Sequence, residues 1–476
     1  MMKKEASLLF FLLWGIPVPA LRLQGQLLPP KGRVLAMARV RVPDTNATVL
    51  ATAGHDRGSV RLWRTPLSAE RLPVEKADAV FDAHPSGPIF TLSGGEGGGS
   101  GADGLLCSGS FDRAATVTRL GADLAAQPLA TLPEHTGWVR GVSVIALGGD
   151  GNTDDPFFAT SIGCNLVNVW TTSGADAGAG GAGGVVEPPL RVARLDGGPS
   201  PDDPADEPFR RHDILCTALS QSDNYNRNHN HQPPAWLVAG LVDGSLRAWR
   251  CRWPAWRARA TLTTTSTTTS TTRTPDITTT SSSAAASTPF DATGGCGGGA
   301  DFDERPAASL GRAHEGRVTG CHWCPDNRSN NNDEEGGSFL TVGRDGHWWR
   351  WRLEGSEEDD EGGTGAFRKV GGGSVQGCIS ASTLVPPPES EEETCWSLVM
   401  GTTAGVVYTQ PLSPDPPPES EVVWAASDGA AVTALCWVPW SSRSRSSSKS
   451  KSGGGEKEVA IAVATSDGLL RVFAGE

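Results

Sequence analysis

Short apolar runs broken by tight polar turns recur along this chain. Leu237–Arg250 reads LVAGLVDGSLRAWR and Phe339–Arg352 reads FLTVGRDGHWWRWR. Both are an apolar run, an Asp-Gly turn, and a second run ending in Trp and then Arg. Five more stretches repeat the layout: Val49–Arg64, Leu105–Leu120, Phe157–Thr171, Ser397–Thr409 and Ala460–Phe473. Two apolar runs joined by a tight turn are the signal of a β-hairpin. A third apolar segment precedes each hairpin, as in Trp138–Ile145, Arg317–Cys324 and Ala431–Val438. Before several of these stands a fourth, ending near a histidine: PLATLPEH to His135 and AASLGRAH to His314. The repeating unit is therefore four short strands. Runs such as AIAVAT are apolar on both faces and need cover on both sides. Stacking four-stranded sheets around an axis supplies that cover.

These units resemble the WD-repeat β-propeller family. The resemblance rests on a His before the first strand, a Ser or Thr on the second, the Asp of the turn and the Trp that ends the third. The fifth unit has all four: His314, Thr341, Asp345 and Trp351. The resemblance implies a hydrogen-bond network, His to Asp and Thr to Trp, that pins the turn within its blade. Other units are partial. His212, Asp243 and Trp249 lack the hydroxyl, with Ala239 in its place; His84, Ser108 and Asp112 lack the Trp. Thr52, Asp56 and Trp63 lack the His, and Asp56 lies one residue further from its Trp than the pattern asks. The third unit keeps His135 and Trp170 but has Cys164 near the Asp position, and the sixth has no clear Asp. The implied fold is all-β, a seven-bladed propeller of four-stranded antiparallel blades over residues 21–476. Blade cores fall roughly at 31–64, 87–120, 137–171, 213–250, 316–353, 374–409 and 430–473. The last hairpin ends at Phe473 without a fourth strand to follow it. An open edge there would leave backbone groups unpaired. The resemblance implies that LRLQGQLL, Leu21–Leu28, closes the ring as an N-terminal strand.

Composition fits many short strands joined by loops: Gly (59) and Pro (34) together are about a fifth of the chain, high against average usage. Low-complexity inserts fall between first and second strands, such as DNRSNNNDEEGG, and between third and fourth, such as EGSEEDDEGGTG. In a four-stranded meander both connections emerge on one face, which leaves the Asp turns on a smoother opposite face. The longest insert is a Thr/Ser/Gly-rich stretch over 252–305. The segment WRARATL within it offers an alternative fourth strand, which would shift that insert to the smooth face. SPDDPADEPFRR, before His212, also lies on the smooth side.

The net charge of −13 argues against nucleic acid as the main partner. Residues 1–20 combine Lys3 and Lys4, an apolar stretch from Ala6 to Ile16, and Val18 and Ala20 as small residues before a cut. That is the layout of a signal peptide and implies the secretory pathway or an organelle lumen, with no membrane span in the mature chain. Sequons at Asn46 and Asn327 fit that route. The ten cysteines pull the other way, because most sit in strand-like runs and read as buried thiols rather than a disulfide framework. A cytoplasmic address is the alternative.

Cys321-His322-Trp323-Cys324 has ligand spacing, but both cysteines replace apolar strand residues and no second pair completes four ligands. Asn228-His229-Asn230-His231 reads as a solvated loop. The glycine tracts lack the Lys-Ser or Lys-Thr of a phosphate cradle. No metal or cofactor is expected. The first reading is a non-catalytic scaffold or adaptor that binds protein or peptide partners, as a monomeric ring or a subunit of a larger complex. The resemblance places partner contacts just before the turn Asp and at the opening of the first strands. Carried over, these are His55, Phe111, Val242, Arg344 and Ser466, with Trp138 and Arg317. The alternative is an enzyme, or an enzyme subunit, built on a propeller in a lumen. It would need converging carboxylates, and the first strands quoted contain no Asp or Glu.

Overall fold

The computed structural model describes residues 22–27, 32–43, 45, 47–54, 58–67, 76–95, 104–132, 135, 137–146, 156–162, 166–171, 190–196, 213–220, 235–251, 303–324, 338–354, 366–387, 395–412, 420–440 and 458–474. Residues 1–20, both sequon asparagines, His55, Asp56, Cys164 and His212 lie outside them.

The described strands form seven antiparallel sheets that follow chain order. Each has an inner strand, a second and a third joined as a hairpin, and an outer strand. Blade one is Val34–Arg41, Thr48–Gly54, Ser59–Arg64 and Ala79–Asp82; blade two is Ile89–Gly94, Leu105–Ser110, Ala115–Leu120 and Ala126–Leu132. Blade three is Val139–Ala146, Pro156–Ile162, Leu166–Thr171 and Leu190–Asp196; blade four is Ile214–Leu219, Ala235–Leu241, Leu246–Cys251 and Ala308–Leu310. Blade five is Val318–Cys324, Ser338–Gly343, His347–Glu354 and Ala366–Ser374; blade six is Ile379–Val385, Ser397–Thr402, Val406–Pro411 and Glu421–Ala425. Blade seven is Val432–Trp440, Glu458–Thr465 and Leu470–Ala474, completed by Arg22–Leu27 from the other end of the chain. Arg22 pairs with Ala474 and Leu27 with Leu470 in that closing pair. Every inner strand touches the next, and the series returns from blade seven to blade one, so the ring is closed.

Two departures from a simple meander occur in blades three and four. The outer strand of blade four is Ala308–Leu310, so the long insert belongs to the third-to-fourth connection and leaves on the face opposite the Asp turns. Asp303–Glu304, at the end of that insert, adds a fifth strand to blade three, parallel to Leu190–Asp196.

Burial explains why the second and third strands are apolar on both faces. Leu105–Ser110 and Ser338–Gly343 are buried along their whole length, because neighbouring blades cover each side. Clusters of core residues span blade boundaries: Leu237 and Trp249 of blade four pack with Val167 and Val169 of blade three. Close approach demands glycine at recurring points. A Cβ on Gly240 would collide with Val318, which opens the next inner strand, and one on Gly401 would collide with Val432 in the same way. Outer strands are half exposed, as the alternation in Ala79–Asp82 shows.

Side chains also stitch adjacent inner strands around the channel. Ser143 donates to the Thr217 carbonyl at 3.0 Å, Ser380 to the Val432 carbonyl at 2.6 Å, and Thr433 to the Val34 carbonyl at 2.6 Å. His322 Nε2 lies 2.8 Å from Ser382 Oγ, and the Arg39 guanidinium lies 3.4 Å from the Trp437 ring centre. Cys216 and Cys321 place their sulfurs 3.3 Å apart between blades four and five.

Candidate functional site: the tight-turn face

The predicted tetrad is assembled in blade five. Trp351 Nε1 donates to Thr341 Oγ1 at 2.8 Å. Thr341 Oγ1 lies 2.9 Å from His314 Nε2, and His314 Nδ1 lies 3.2 Å from Asp345 Oδ1. Burial pushes the His314 pKa down against the pull of Asp345, so the ring is neutral at pH 7. A neutral ring holds one proton, which fixes the direction of the relay. The indole N–H donates to the hydroxyl, the hydroxyl donates to Nε2, and Nδ1–H donates to the carboxylate. Burial alone would raise the Asp345 carboxyl. Amide hydrogen bonds from His347 and Glu315, together with the His314 ring, outweigh it and hold the carboxyl below its ordinary value. The relay is thus a clamp on the Asp-Gly turn, and Gly346, at φ 83°, takes the left-handed position that the turn requires.

The partial tetrads do what their residues allow. In blade two His84 Nδ1 lies 3.1 Å from Asp112 Oδ2 and Nε2 lies 2.8 Å from Ser108 Oγ; buried Thr118 stands where the Trp would be. In blade one Trp63 Nε1 donates to Thr52 Oγ1 at 3.1 Å. In blade four the Asp243 carboxylate accepts from the Ser245 amide at 2.9 Å, and Trp249 is buried. Blade three contains a member that the sequence reading missed. Thr160 accepts from Trp170 Nε1 at 3.1 Å and lies 2.9 Å from His135 Nε2. Its signal was present, since Thr160 precedes Trp170 by the same interval that separates Thr341 from Trp351. Blade seven has no such histidine. There Arg471 reaches both Thr465 and Asp467. Blade six uses a hydroxyl for its missing Asp: Thr402 Oγ1 accepts from the Val406 amide at 3.1 Å.

A second regularity builds the mouth of the central channel. In the five blades whose turns are described, the residue before the turn Asp, or its counterpart, donates its amide to the residue just before the inner strand of the same blade. Phe111 bonds to Pro88, Val242 to Asp213, Arg344 to Arg317, Thr403 to Cys378 and Ser466 to Ala431, all at 2.8–3.0 Å. All seven inner strands also break register at their second residue. Such a bulge re-aims the side chain that it carries. The bulged residues of blades two and three are Phe90 and Arg140. Neither was a sequence-level candidate, although both stand at a fixed offset from the strand start.

Of the described partner candidates, Phe111 and Trp138 meet as a ring pair and Arg317 and Arg344 meet through their backbones, whereas Val242 and Ser466 bond within blades four and seven. Phe111 and Trp138 are exposed at 42% and 39%, and their rings pack 4.5 Å apart. Phe90 lies 6.2 Å from Phe111 and 6.1 Å from Trp138. The Arg140 guanidinium sits 5.1 Å from the Trp138 ring centre, a cation–π contact. Arg317 and Arg344 are exposed and joined through their backbones. Burial, Arg344 and Arg140 all push the Arg317 pKa down. Blades two to five therefore present an aromatic cluster beside three guanidinium groups.

Cys321 and Cys324 are both buried strand residues, and Cys321 faces Cys216 rather than Cys324. None of the eight described cysteines forms a disulfide. Among the described residues no group of three or more His, Cys, Asp or Glu is placed to hold a metal ion, and no helix is long and apolar enough to cross a membrane.

The ring closure, the clamped turns and the exposed mouth define a WD-like β-propeller. Among solved structures, Sqt1 of Saccharomyces cerevisiae superposes with a TM-score of 0.50 at 10% identity, over 96% of this chain and 99% of that one. At that identity the likeness concerns the fold alone. No protein-family model matches the chain, and no curated protein matches it by sequence.

Proposed function

We propose that this chain is a non-catalytic scaffold or adaptor that holds protein or peptide partners on the tight-turn face of the ring. The observation that carries the reading is the exposed Phe111–Trp138 pair on a rigid rim, with Arg140 against the Trp138 ring and near enough to act on Arg317, which bonds to Arg344. Aromatic and Arg residues are the side chains that dominate binding energy at interfaces. Here they stand on turns clamped by buried hydrogen bonds, so little ordering entropy is lost when a partner docks. Changing both Phe111 and Arg344 to alanine is expected to weaken capture of physiological partners at least tenfold while leaving the melting temperature within about 2 °C. Undiminished capture would refute this face. An enzyme in a lumen is the second reading, and a screen of the purified ring against esters, glycosides and phosphates distinguishes the two.

The leader-like residues 1–20 support a secretory or organelle-lumen route. A cut after Ala20 would spare the closing strand, which begins at Arg22. The N-terminal residue of the mature protein tests that route against a cytoplasmic one.

A further inference from the structure

The mouth of the channel carries an imbalance of charge. Arg140, Arg317 and Arg344 come from blades three and five, and among the described residues no carboxylate forms an ion pair with any of them. Arg140 Nε is buried with no hydrogen-bond partner among those residues. Asp213 is the carboxylate at the corresponding rim position of blade four, yet the charges that bear on Arg317 are those of Arg344 and Arg140, and both repel it. The turn aspartates are committed elsewhere, Asp345 to His314 and two amides, Asp112 to His84 and the Ala114 amide. Like charges gathered without counter-ions raise the free energy of the empty face and lower it when an anion arrives. Beside them the Phe90–Phe111–Trp138 cluster leaves apolar surface exposed.

We propose that the tight-turn face of blades two to five takes an acidic peptide. A bulky aromatic or aliphatic side chain docks against Phe90, Phe111 and Trp138, and flanking carboxylates pair with Arg140, Arg317 and Arg344. The proposal rests on the partner-binding reading above and adds the chemistry of the partner. A peptide fits better than nucleic acid. Three guanidiniums on a chain of net charge −13 give little general attraction for a polyanion, but they match a few carboxylates placed around one apolar anchor.

The test is peptide display on the immobilised full chain, followed by fluorescence anisotropy of the selected peptides. Four proteins are compared: the parent, R317A/R344A, F111A/W138A, and a variant with Asp202, Asp203 and Asp206 changed to Asn and Glu207 to Gln. Thermal melts confirm that each is folded. The expected selection is an aromatic or bulky aliphatic residue flanked by Asp or Glu. R317A/R344A should weaken those peptides tenfold or more and flatten their salt dependence, and F111A/W138A should weaken them comparably at unchanged salt dependence. Selected peptides that are neutral or basic, and are lost only in F111A/W138A, would overturn the acidic preference while leaving the face as the docking site. Peptides that bind all four proteins alike would overturn both. A tenfold gain in the neutralised variant would assign the cluster to the chain's own acidic stretch instead. Failure to enrich any peptide, or binding of single-stranded oligothymidylate that R317A/R344A abolishes, would also overturn the proposal.

Discussion

Thr341 is the hinge of the blade-five relay, because its single hydroxyl serves both an indole donor and an imidazole acceptor. Thr341→Val keeps the shape and removes both bonds. With two buried polar groups left unpaired, the expected loss is about 3 kcal/mol in urea denaturation. Arg113 raises the opposite expectation. It occupies the left-handed region at φ 70°, where Gly244, Gly346 and Gly468 stand in other turns. Arg113→Gly should relieve about 1 kcal/mol and raise the urea midpoint. At this scale much was legible in the sequence. The tetrad of His314, Thr341, Asp345 and Trp351 could be picked out through the resemblance to WD repeats, because each member has a distinctive side chain that the repeat pattern marks. Phe90 and Arg140 could not. They sit at bulges, and a bulge leaves no mark in an apolar pattern whose period it interrupts for one residue.

The hairpins of second and third strands were the most readable elements. They are buried on both faces, so they appear as unbroken apolar runs around a turn. Outer strands were the least readable, since they lie at the rim and only alternate, as in Ala79–Asp82 and Glu421–Ala425. Ala308–Leu310 is short and separated from its partner strand by the long insert, so the sequence left WRARATL as a competing choice. Asp303–Glu304 carries no strand signal; its pairing with blade three is a matter of position, not propensity. Packing between elements yields a sharper expectation than either. Gly401→Ala directs a methyl group into Val432 of the next blade. The inner strand must shift or the alanine must strain, at an expected cost of about 2 kcal/mol, and the loss should be recovered in part by Val432→Ala. An additive double mutant would show that the two residues do not meet.

The whole ring should be sensitive to acid. His135 is buried and His322 partly buried, and desolvation holds both down to about 4; burial lowers His84 and His314 as well. The unfolded chain binds these protons near pH 6.5, before the folded ring does. Their contribution is therefore complete above about pH 7 and is lost as pH falls from 6.5 toward 4, on the order of 3 kcal/mol for His135 or His322. Below that range Asp345 and Asp467, whose carboxyls lie under their ordinary values, add a further loss. Urea midpoints measured from pH 7.5 to 4 should fall steadily; a flat profile would mean that the histidines open to water without unfolding the ring. The closing strand sets a second expectation at this scale. Removing residues 22–27 bares the edge of Leu470–Ala474, which should lower the melting temperature and promote association through that edge.

That closing pair also gives the molecule a direction of mechanical weakness. Arg22 lies opposite Ala474, so the outward-leading ends of both strands emerge side by side. Traction on those ends would part the two strands one hydrogen bond after another, as a zipper opens, instead of loading all of them in shear. A pulled ring would yield first at this junction, with the other six blades still folded.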